Sequence, residues 1–151
     1  MEMLFRGRFE AKVDSKGRLL IPSAWKNSKL STVVLTNAIY SGRPCIDVYS
    51  LQQWGLLEKR FLSKSLVKKE LQNFRRFYLA SGTPVEIDSN GRILVPSVLR
   101  KFAGLEGEVS LLGMGEKFEI WSEQNWSKIH QEMSLEFENT LASVVESIDE
   151  D

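Results

Sequence analysis

Two short motifs carry the residues of this sequence that are best suited to bind a charged ligand. Residues 14–18 read DSKGR, and residues 88–92 read DSNGR. From each aspartate to the Pro-Ser that follows, seven of the ten positions are identical in the two copies. Arginine and lysine on a projecting turn suit the phosphates of nucleic acid, and an arginine fork also matches the edge of a guanine. The duplication itself predicts a fold built from two similar units.

The spacing within each motif predicts a tight turn between two antiparallel strands. Asp-x-x-Gly between apolar runs is typical of a type I turn closed by a glycine with positive φ. The aspartate accepts hydrogen bonds from the N–H groups of the turn. In that register Asp14 lies opposite Arg18, Asp88 lies opposite Arg92, and Val13 faces Leu19. The predicted clasp of the two turns comprises Asp14, Gly17, Asp88, Gly91 and Arg92.

Two interpretations of these turns are open from the residues alone. In the simpler one, each hairpin is purely structural, and its Asp–Arg pair does no more than close the turn. In the other, the arginine and lysine side chains also contact a partner. The basic excess beside the first turn favours the second interpretation.

The residues quoted so far carry a resemblance to a known family. Phe5-Arg6-Gly7, the first motif and a second Asp-x-x-x-Arg half a chain later resemble the bacterial MraZ family, over a match from Leu4 to Gln131. The resemblance implies an α+β fold of two tandem AbrB-like (SpoVT-AbrB superfamily) swapped-hairpin half-barrels that share one core, with helices after each half. It also implies a transcriptional regulator that forms ring-like homo-oligomers. Such regulators bind direct repeats in double-stranded DNA upstream of the division and cell-wall gene cluster.

The charge of the chain is divided unevenly along its length. Residues 1–80 contain fifteen Lys/Arg and six Asp/Glu, whereas residues 81–151 contain five and fourteen. The net charge of zero therefore combines a basic half with an acidic half. A folded protein with this distribution can present a cationic face to a polyanion.

The order of predicted elements is the same in each half: a strand, the turn and its return strand, a short helix, two strands and a helix. The short helices begin at Ser23 and Ser97 as N-caps, the first reaching Ser28. With 151 residues, each half is near the lower limit for folding alone, so we expect one jointly built core. The expected boundaries are 4–54 and 81–126 for the two repeats, 55–80 for connecting helices and 127–151 for an acidic helix or tail.

The strand before the first turn alternates between apolar and charged residues, which predicts one buried side. We expect a single basic surface on the other side, formed by Arg6, Arg8, Lys12, Lys16 and Arg18. In that arrangement Arg18 reaches a base edge or a phosphate, and the other four contact phosphates. The second copy lacks most of these charges, since Lys12 and Lys16 become Glu86 and Asn90. We therefore expect the first turn to engage DNA and Arg92 to be a secondary contact at best.

Two further charged regions allow alternatives. A basic cluster on the connecting helices either contacts phosphate or pairs with the acids of a neighbouring subunit; it comprises Lys64, Lys68, Lys69, Arg75 and Arg76. An apolar stripe from Trp126 to Ile148 continues the last helix, whose residues from Gln131 onward include seven acids and no base. That segment is either a solvated helix or one that packs on another subunit or on the basic half.

The remaining reactive residues do not form a catalytic or metal site in the sequence. His130 is the only histidine and has no partner at metal-ligand spacing, and the lone Cys45 is predicted to be a buried thiol in a reducing compartment. No phosphate loop or leader-like apolar segment is present. We expect no enzyme activity, cofactor, metal, small-molecule substrate or membrane contact. The expected location is the cytoplasm, at the nucleoid. The alternative function is an interaction module whose basic half docks an acidic partner.

Overall fold

The computed structural model describes residues 5–27, 29–63 and 68–150. Ser28 and Lys64, which the sequence placed on helices, lie outside the described residues. The strands are β1 (Arg8–Val13), β2 (Arg18–Leu20), β3 (Thr32–Tyr40), β4 (Arg43–Ser50), β5 (Thr83–Glu86), β6 (Arg92–Leu94), β7 (Gly107–Gly113) and β8 (Lys117–Ser122). The α-helices are α1 (Leu51–Leu62), α2 (Lys69–Phe74), α3 (Ser97–Ala103) and α4 (Glu123–Glu150). A 3-10 turn spans Ser23–Trp25, and a π-helical turn at Arg75–Leu79 continues α2.

A six-stranded antiparallel sheet runs through the centre of the molecule in the order β1-β7-β8-β4-β3-β5. Its two middle strands, β8 and β4, come from different repeats and pair Asp47 with Glu119. The outer strands cross over: β1 of the first repeat pairs with β7, and β5 of the second repeat pairs with β3. Helices and sheet together give the α+β class predicted from the sequence.

The sheet separates two apolar clusters. On one face, β2, β6, the 3-10 turn and α3 cover a core to which both repeats contribute, including Leu19, Trp25, Val33, Ile93, Leu99 and Val109. On the other face, the connecting helices and the start of α4 cover a second cluster around Trp54, Tyr78, Trp121 and Ile129. The jointly built core expected from the short repeats is therefore present.

The two turns form, but the predicted hairpins do not. Asp14 N–H donates to Arg18 O (3.0 Å) and Gly17 N–H donates to Asp14 O (2.9 Å), as the motif predicts. Beyond the turn, however, Val13 pairs with Gly107 of β7 and Leu19 pairs with Ile93 of β6. The register of Val13 opposite Leu19 is therefore wrong, because β2 leaves the sheet and pairs with its counterpart in the other repeat.

Two smaller predictions also need correction. The short helices have Pro22 and Pro96 at their N-caps, and no side chain caps them, so Ser23 and Ser97 are the first residues within the helices. Residues 5–13 alternate in the sequence and so predict a strand over that whole range, but the strand begins only at Arg8, since Gly7 has a φ of +96° that interrupts it. Pro22 and Pro96 suit the starts of the two short helices because the proline ring fixes φ.

Candidate nucleic-acid interface

The strands β2 and β6 form a two-stranded ribbon on the outside of the larger core. Leu19 and Ile93 point inward and are almost fully buried. Because side chains alternate along a strand, the residues on either side of them lie on the outer face. The register places Arg18 opposite Leu94 and Leu20 opposite Arg92. The two arginines are therefore diagonal neighbours on one solvent-facing ribbon, between two leucines that are about half exposed.

The first turn holds Arg18 in place through Asp14. One carboxylate oxygen of Asp14 accepts from the backbone N–H groups of Lys16 (2.9 Å) and Arg18 (2.8 Å), and the other accepts from Arg18 Nε (3.0 Å). The backbone N–H of Arg18 is the largest cause that lowers the pKa of Asp14, and the Arg18 guanidinium adds to it. The ion pair uses Nε, so the terminal nitrogens of Arg18 donate to no other described residue. The aspartate thus orients a guanidinium that keeps its fork free.

The second turn repeats the backbone pattern without the ion pair. Asp88 accepts from the N–H groups of Asn90 (2.8 Å) and Arg92 (2.9 Å). No ion pair joins Asp88 to the Arg92 side chain within the part of the chain that the structure describes. The predicted side-chain clasp between Asp88 and Arg92 is therefore wrong. The pKa of Asp88 is nevertheless lowered, mainly by the hydrogen bond from the backbone N–H of Arg92, and further by the charges of Arg92 and Arg18. Arg92 is only partly exposed, while Arg18 is exposed.

Each turn is covered by a cation from the opposite repeat. A Cβ at Gly17 would lie 2.6 Å from Cζ of Arg100, and Arg100 Nε donates to Val95 O (2.9 Å). In the same way, a Cβ at Gly91 would lie 2.6 Å from Cε of Lys26. The sequence analysis did not predict that Lys26 and Arg100 belong to the site. The repeat held the signal, because an offset of 74 residues that aligns the two motifs also aligns Lys26 with Arg100.

The single basic surface expected from the sequence is wrong for Arg8 and Lys12. Phe9, Ala11 and Val13 face the larger core, so the alternating charged residues of β1 face the opposite side of the sheet. There the Arg8 guanidinium lies 5.6 Å from the ring centroid of Trp126 in α4. Lys12 lines a depression that also includes Glu10, Glu108 and Glu123.

Arg6 precedes β1, at the end of the strand away from the first turn. It is exposed at the far end of β1, about 25 Å along the chain from the turn at a strand's rise of ~3.3 Å per residue. Its carbonyl oxygen accepts from Trp25 Nε1 (2.7 Å), which anchors that end of the strand to the core. Of the five residues predicted to bind DNA, Lys16 and Arg18 lie at the first turn and the ribbon, whereas Arg8 and Lys12 lie on the other face of the sheet.

The structure therefore gathers a different set of cations from the one expected. We call this set the ribbon patch; it comprises Lys16, Arg18, Lys26, Arg92, Arg100 and Lys101. Lys101 joins it because, with Arg100, it lines a depression beside Asp14 and Ser15. The patch draws on both repeats, and it can bind a polyanion or an acidic surface.

Comparison with known proteins finds the same duplication in a described family. The family model for the MraZ protein, which its description calls antitoxin-like, matches residues 4–77 and again residues 79–147. The chain belongs to the MraZ family. Each matched segment contains one copy of the turn motif, and together the two cover nearly the whole chain.

Several MraZ relatives are similar over most of their length. A protein of Thermoanaerobacter pseudethanolicus is 34% identical over 97% of this chain and 98% of its own length. Relatives from Caldicellulosiruptor bescii (38% identical over 81% of this chain and 83% of its own length) and Natranaerobius thermophilus (33% over 95% and 98%) are also similar. All three are named transcriptional regulator MraZ. These names are those of regulators rather than enzymes, and they support a regulator of transcription.

The other reactive residues of this MraZ chain are a buried cysteine and an exposed histidine. Burial raises the pKa of the Cys45 thiol, which is fully buried as predicted. His130 lies against Trp126, with 5.3 Å between ring centroids. Among the described residues, no three His, Cys, Asp or Glu side chains are grouped so that they could hold a metal ion. None of the described helices is both long and apolar enough to cross a membrane.

Proposed function

We propose that this chain is a sequence-specific DNA-binding transcriptional regulator that contacts duplex DNA through the ribbon patch. The observation that carries the proposal is the Asp14–Arg18 pair, which presents an exposed guanidinium on the outer face of the β2–β6 ribbon. Both turns at the ends of this ribbon add cations, so the positive charge is concentrated there. Family membership and the names of the relatives agree with this role.

The shape of the ribbon suits the major groove of B-DNA. That groove admits a two-stranded β-ribbon, and an arginine fork can bind O6 and N7 of a guanine. In the proposed complex Arg18 reaches a base edge or a phosphate, while Lys16, Lys26 and Arg100 contact phosphates that set the register. Leu20 and Leu94 are exposed on the same face and are suited to contact thymine methyl groups. This proposal replaces the contacts that the sequence assigned to Arg6, Arg8 and Lys12.

About six cations per subunit give a modest electrostatic footprint. Binding through so few phosphate contacts is weak at physiological salt. Several copies on repeated sites compensate for this, since each additional copy binds at a high effective concentration. We therefore extend the proposal to a ring-like homo-oligomer on direct repeats upstream of the division and cell-wall gene cluster, in the cytoplasm at the nucleoid.

The fold proposal is that the two repeats, 4–54 and 81–126, are AbrB-like swapped-hairpin halves. Its support is the exchange of strands, in which β1 pairs with β7, β5 with β3, and β2 with β6. Segments 55–80 and 127–151 are then the connecting helices and the C-terminal acidic helix.

A footprinting experiment on the DNA upstream of the chain's own gene tests the function. We expect protection at repeated sites by the parent chain and its loss with Arg18→Ala, which retains the fold because Arg18 is exposed. The matched control is Lys12→Ala, which removes a cation on the other face of the sheet and should leave the footprint intact. Absence of a footprint with the parent chain, together with binding to an acidic protein surface, would favour the interaction module instead.

A further inference from the structure

The last helix extends far beyond the body of the molecule. Ile129 is its last buried residue among those described, and Glu132 forms an ion pair with Arg43 of β4 (2.8 Å). The 18 residues that follow would extend ~27 Å as an α-helix, and those from Met133 to Asp149 are all exposed. One side of this extension carries an exposed apolar stripe, comprising Met133, Phe137, Leu141, Val144, Val145 and Ile148. Monomeric soluble proteins rarely expose a continuous apolar surface of this extent.

A groove of complementary character lies between the connecting helices. It has a volume of about 490 Å³, and its lining combines the apolar Leu62, Leu79 and Ala80 with the polar Glu58, Gln72, Arg75 and Arg76. The two connecting helices and the turn after them, over residues 51–63 and 68–80, contain six Lys/Arg and two Glu. The groove therefore has apolar walls and a basic surround.

We propose that the exposed stripe of α4 docks into this groove on a second copy of the chain, in a head-to-tail contact. The inference rests on the homo-oligomer part of the proposed function and assigns its interface. It also decides between the two roles that the sequence left open for the basic cluster, since Arg75 and Arg76 then pair with a neighbouring subunit's acids rather than with phosphate.

Charge complementarity identifies the occupant of the groove. Apolar Leu141 and Val145 lie next to Glu138, Glu146 and Asp149 on α4. An apolar face bordered by acids matches apolar walls bordered by arginines. Two α4 helices packed against each other would instead bring acids together without any base from residue 131 onward, and like charges at close range are destabilising.

The geometry of α4 favours another copy over the helix's own groove. The helix is continuous from Glu123 to Glu150 and packs mainly on β7 and β8, after which it leaves the body. A contact that joins one surface to a different surface of an identical neighbour repeats around a ring or along a filament. Each subunit then offers one helix and one groove.

Charge-bearing variants of the two surfaces test the contact by light scattering after gel filtration. The helix variant is Leu141→Glu/Val145→Glu. Its control, Leu135→Glu/Asn139→Glu, makes the same charge change at the same spacing on the opposite side of the helix. The groove variant is Arg75→Glu/Arg76→Glu, and its control is Lys29→Glu/Lys128→Glu at exposed positions elsewhere. We expect the helix and groove variants to be monomers at concentrations where the parent and both controls are oligomers, with circular dichroism unchanged.

Mixing the two defective variants provides the sharpest test. The groove variant still offers a helix and the helix variant still offers a groove, so the mixture should form one-to-one dimers that grow no further. A mixture that stays monomeric, or a groove variant that keeps the parent mass while losing DNA affinity, would overturn the assignment. A monomeric parent would refute the oligomer itself. An oligomeric parent that binds no DNA would refute the proposed DNA function while leaving this contact intact.

Discussion

The guanidinium of Arg100 lies over Gly17, in the turn of the other repeat, so that a Cβ at Gly17 would lie 2.6 Å from Arg100 Cζ. Lys26 has the equivalent position over Gly91. Backbone hydrogen bonds also join each turn to the other repeat: Val95 N–H donates to Gly17 O, and Ile21 N–H donates to Gly91 O, both at 2.9 Å. The ribbon patch therefore requires that both repeats fold together.

Replacing Gly17 tests this packing. Gly17→Ala places a side chain at a φ of +89° and displaces Arg100 from its bond to Val95 O. The positive φ costs ~1–3 kcal/mol in the free energy of unfolding, and loss of the hydrogen bond adds about 1 kcal/mol. Urea unfolding of the two proteins measures the difference.

Gly42→Ala is the matched control for that change. Gly42 also has a positive φ (+73°), but apart from its chain neighbours no residue has an atom within 4 Å of its Cβ position. Its substitution should therefore show the backbone cost alone and leave DNA affinity unchanged. Equal stability losses at Gly17 and Gly42 would contradict the role of Arg100 over the first turn.

The two ribbon arginines should differ in their effect on DNA binding. Arg18 is exposed and oriented by Asp14, while Arg92 is partly buried and has no ion pair with Asp88 among the described residues. We expect Arg18→Ala to lower the affinity for an operator fragment by roughly tenfold or more, in line with ~1–3 kcal/mol for an arginine on a base edge. Arg92→Ala should lower it by much less. Fluorescence anisotropy compares the variants, and equal losses would show that the two turns share the task.

Stability should fall in acid because of the turn aspartates. Backbone N–H groups lower the pKa of Asp14 and Asp88 in the folded protein below the ordinary value of 3.8. Their contribution is thus present above that value and is lost as the pH falls through the folded pKa values. The variant Asp14→Asn/Asp88→Asn should be less stable than the parent at pH 7, and the difference in unfolding free energy should narrow as the pH falls to 2. Urea unfolding at both pH values checks this, and Glu106→Gln, which changes an exposed acid of a loop, should follow the parent.

A buried ion pair in the smaller core gives a separate prediction. Lys117 Nζ lies 2.9 Å from Asp47 Oδ2 and donates to Tyr40 Oη at 2.7 Å. Burial is the largest single influence on the pKa of Lys117 and lowers it, but the Asp47 carboxylate and the hydrogen bonds to Asp47 and Tyr40 together outweigh burial, so the pKa is raised. Lys117→Met leaves Asp47 buried without its cation, which costs about 3–5 kcal/mol of unfolding free energy.

The double variant Asp47→Asn/Lys117→Met is the control for that prediction. It removes the charges of Asp47 and Lys117 together and leaves Glu119, which lies 3.4 Å from Lys117 Nζ, as the remaining carboxylate of this site, so a large part of the stability should return. Thermal or urea unfolding of the parent, the single variant and the double variant provides the comparison. A double variant as unstable as Lys117→Met would mean that the charge of Asp47 is not the cause.

Local features of the fold were predictable from the sequence because their interactions span only a few residues. Asp14 contacts Lys16 and Arg18, two and four positions away, and the motif specifies those bonds. The partner of β2 was not predictable in the same way. Leu19 points inward whether β2 pairs with β1 or with β6, so the alternation of residues is the same in both arrangements.

The positions of the cations were likewise only partly predictable from the sequence. Arg8 and Lys12 alternate with buried residues as predicted, but the sequence does not say which layer lies over each face of the sheet. Arg100 reaches Gly17 only because the repeats exchange strands, and the distance along the chain hides this contact. Comparing the repeats position by position would have paired Lys26 with Arg100, but not revealed that each covers the other repeat's turn.

The affinity of two double variants for one operator fragment, measured across a range of salt concentrations, tests the central claim most directly. Lys16→Ala/Arg18→Ala removes two cations from the ribbon patch, and Arg8→Ala/Lys12→Ala removes two from the other face of the sheet. We predict that the first variant binds at least tenfold more weakly and that its salt dependence becomes shallower by roughly one unit for each phosphate that the removed cations no longer neutralise. The Arg8→Ala/Lys12→Ala variant should match the parent in affinity and in salt dependence. The opposite pattern would show that DNA binds the β1 face and would contradict the account.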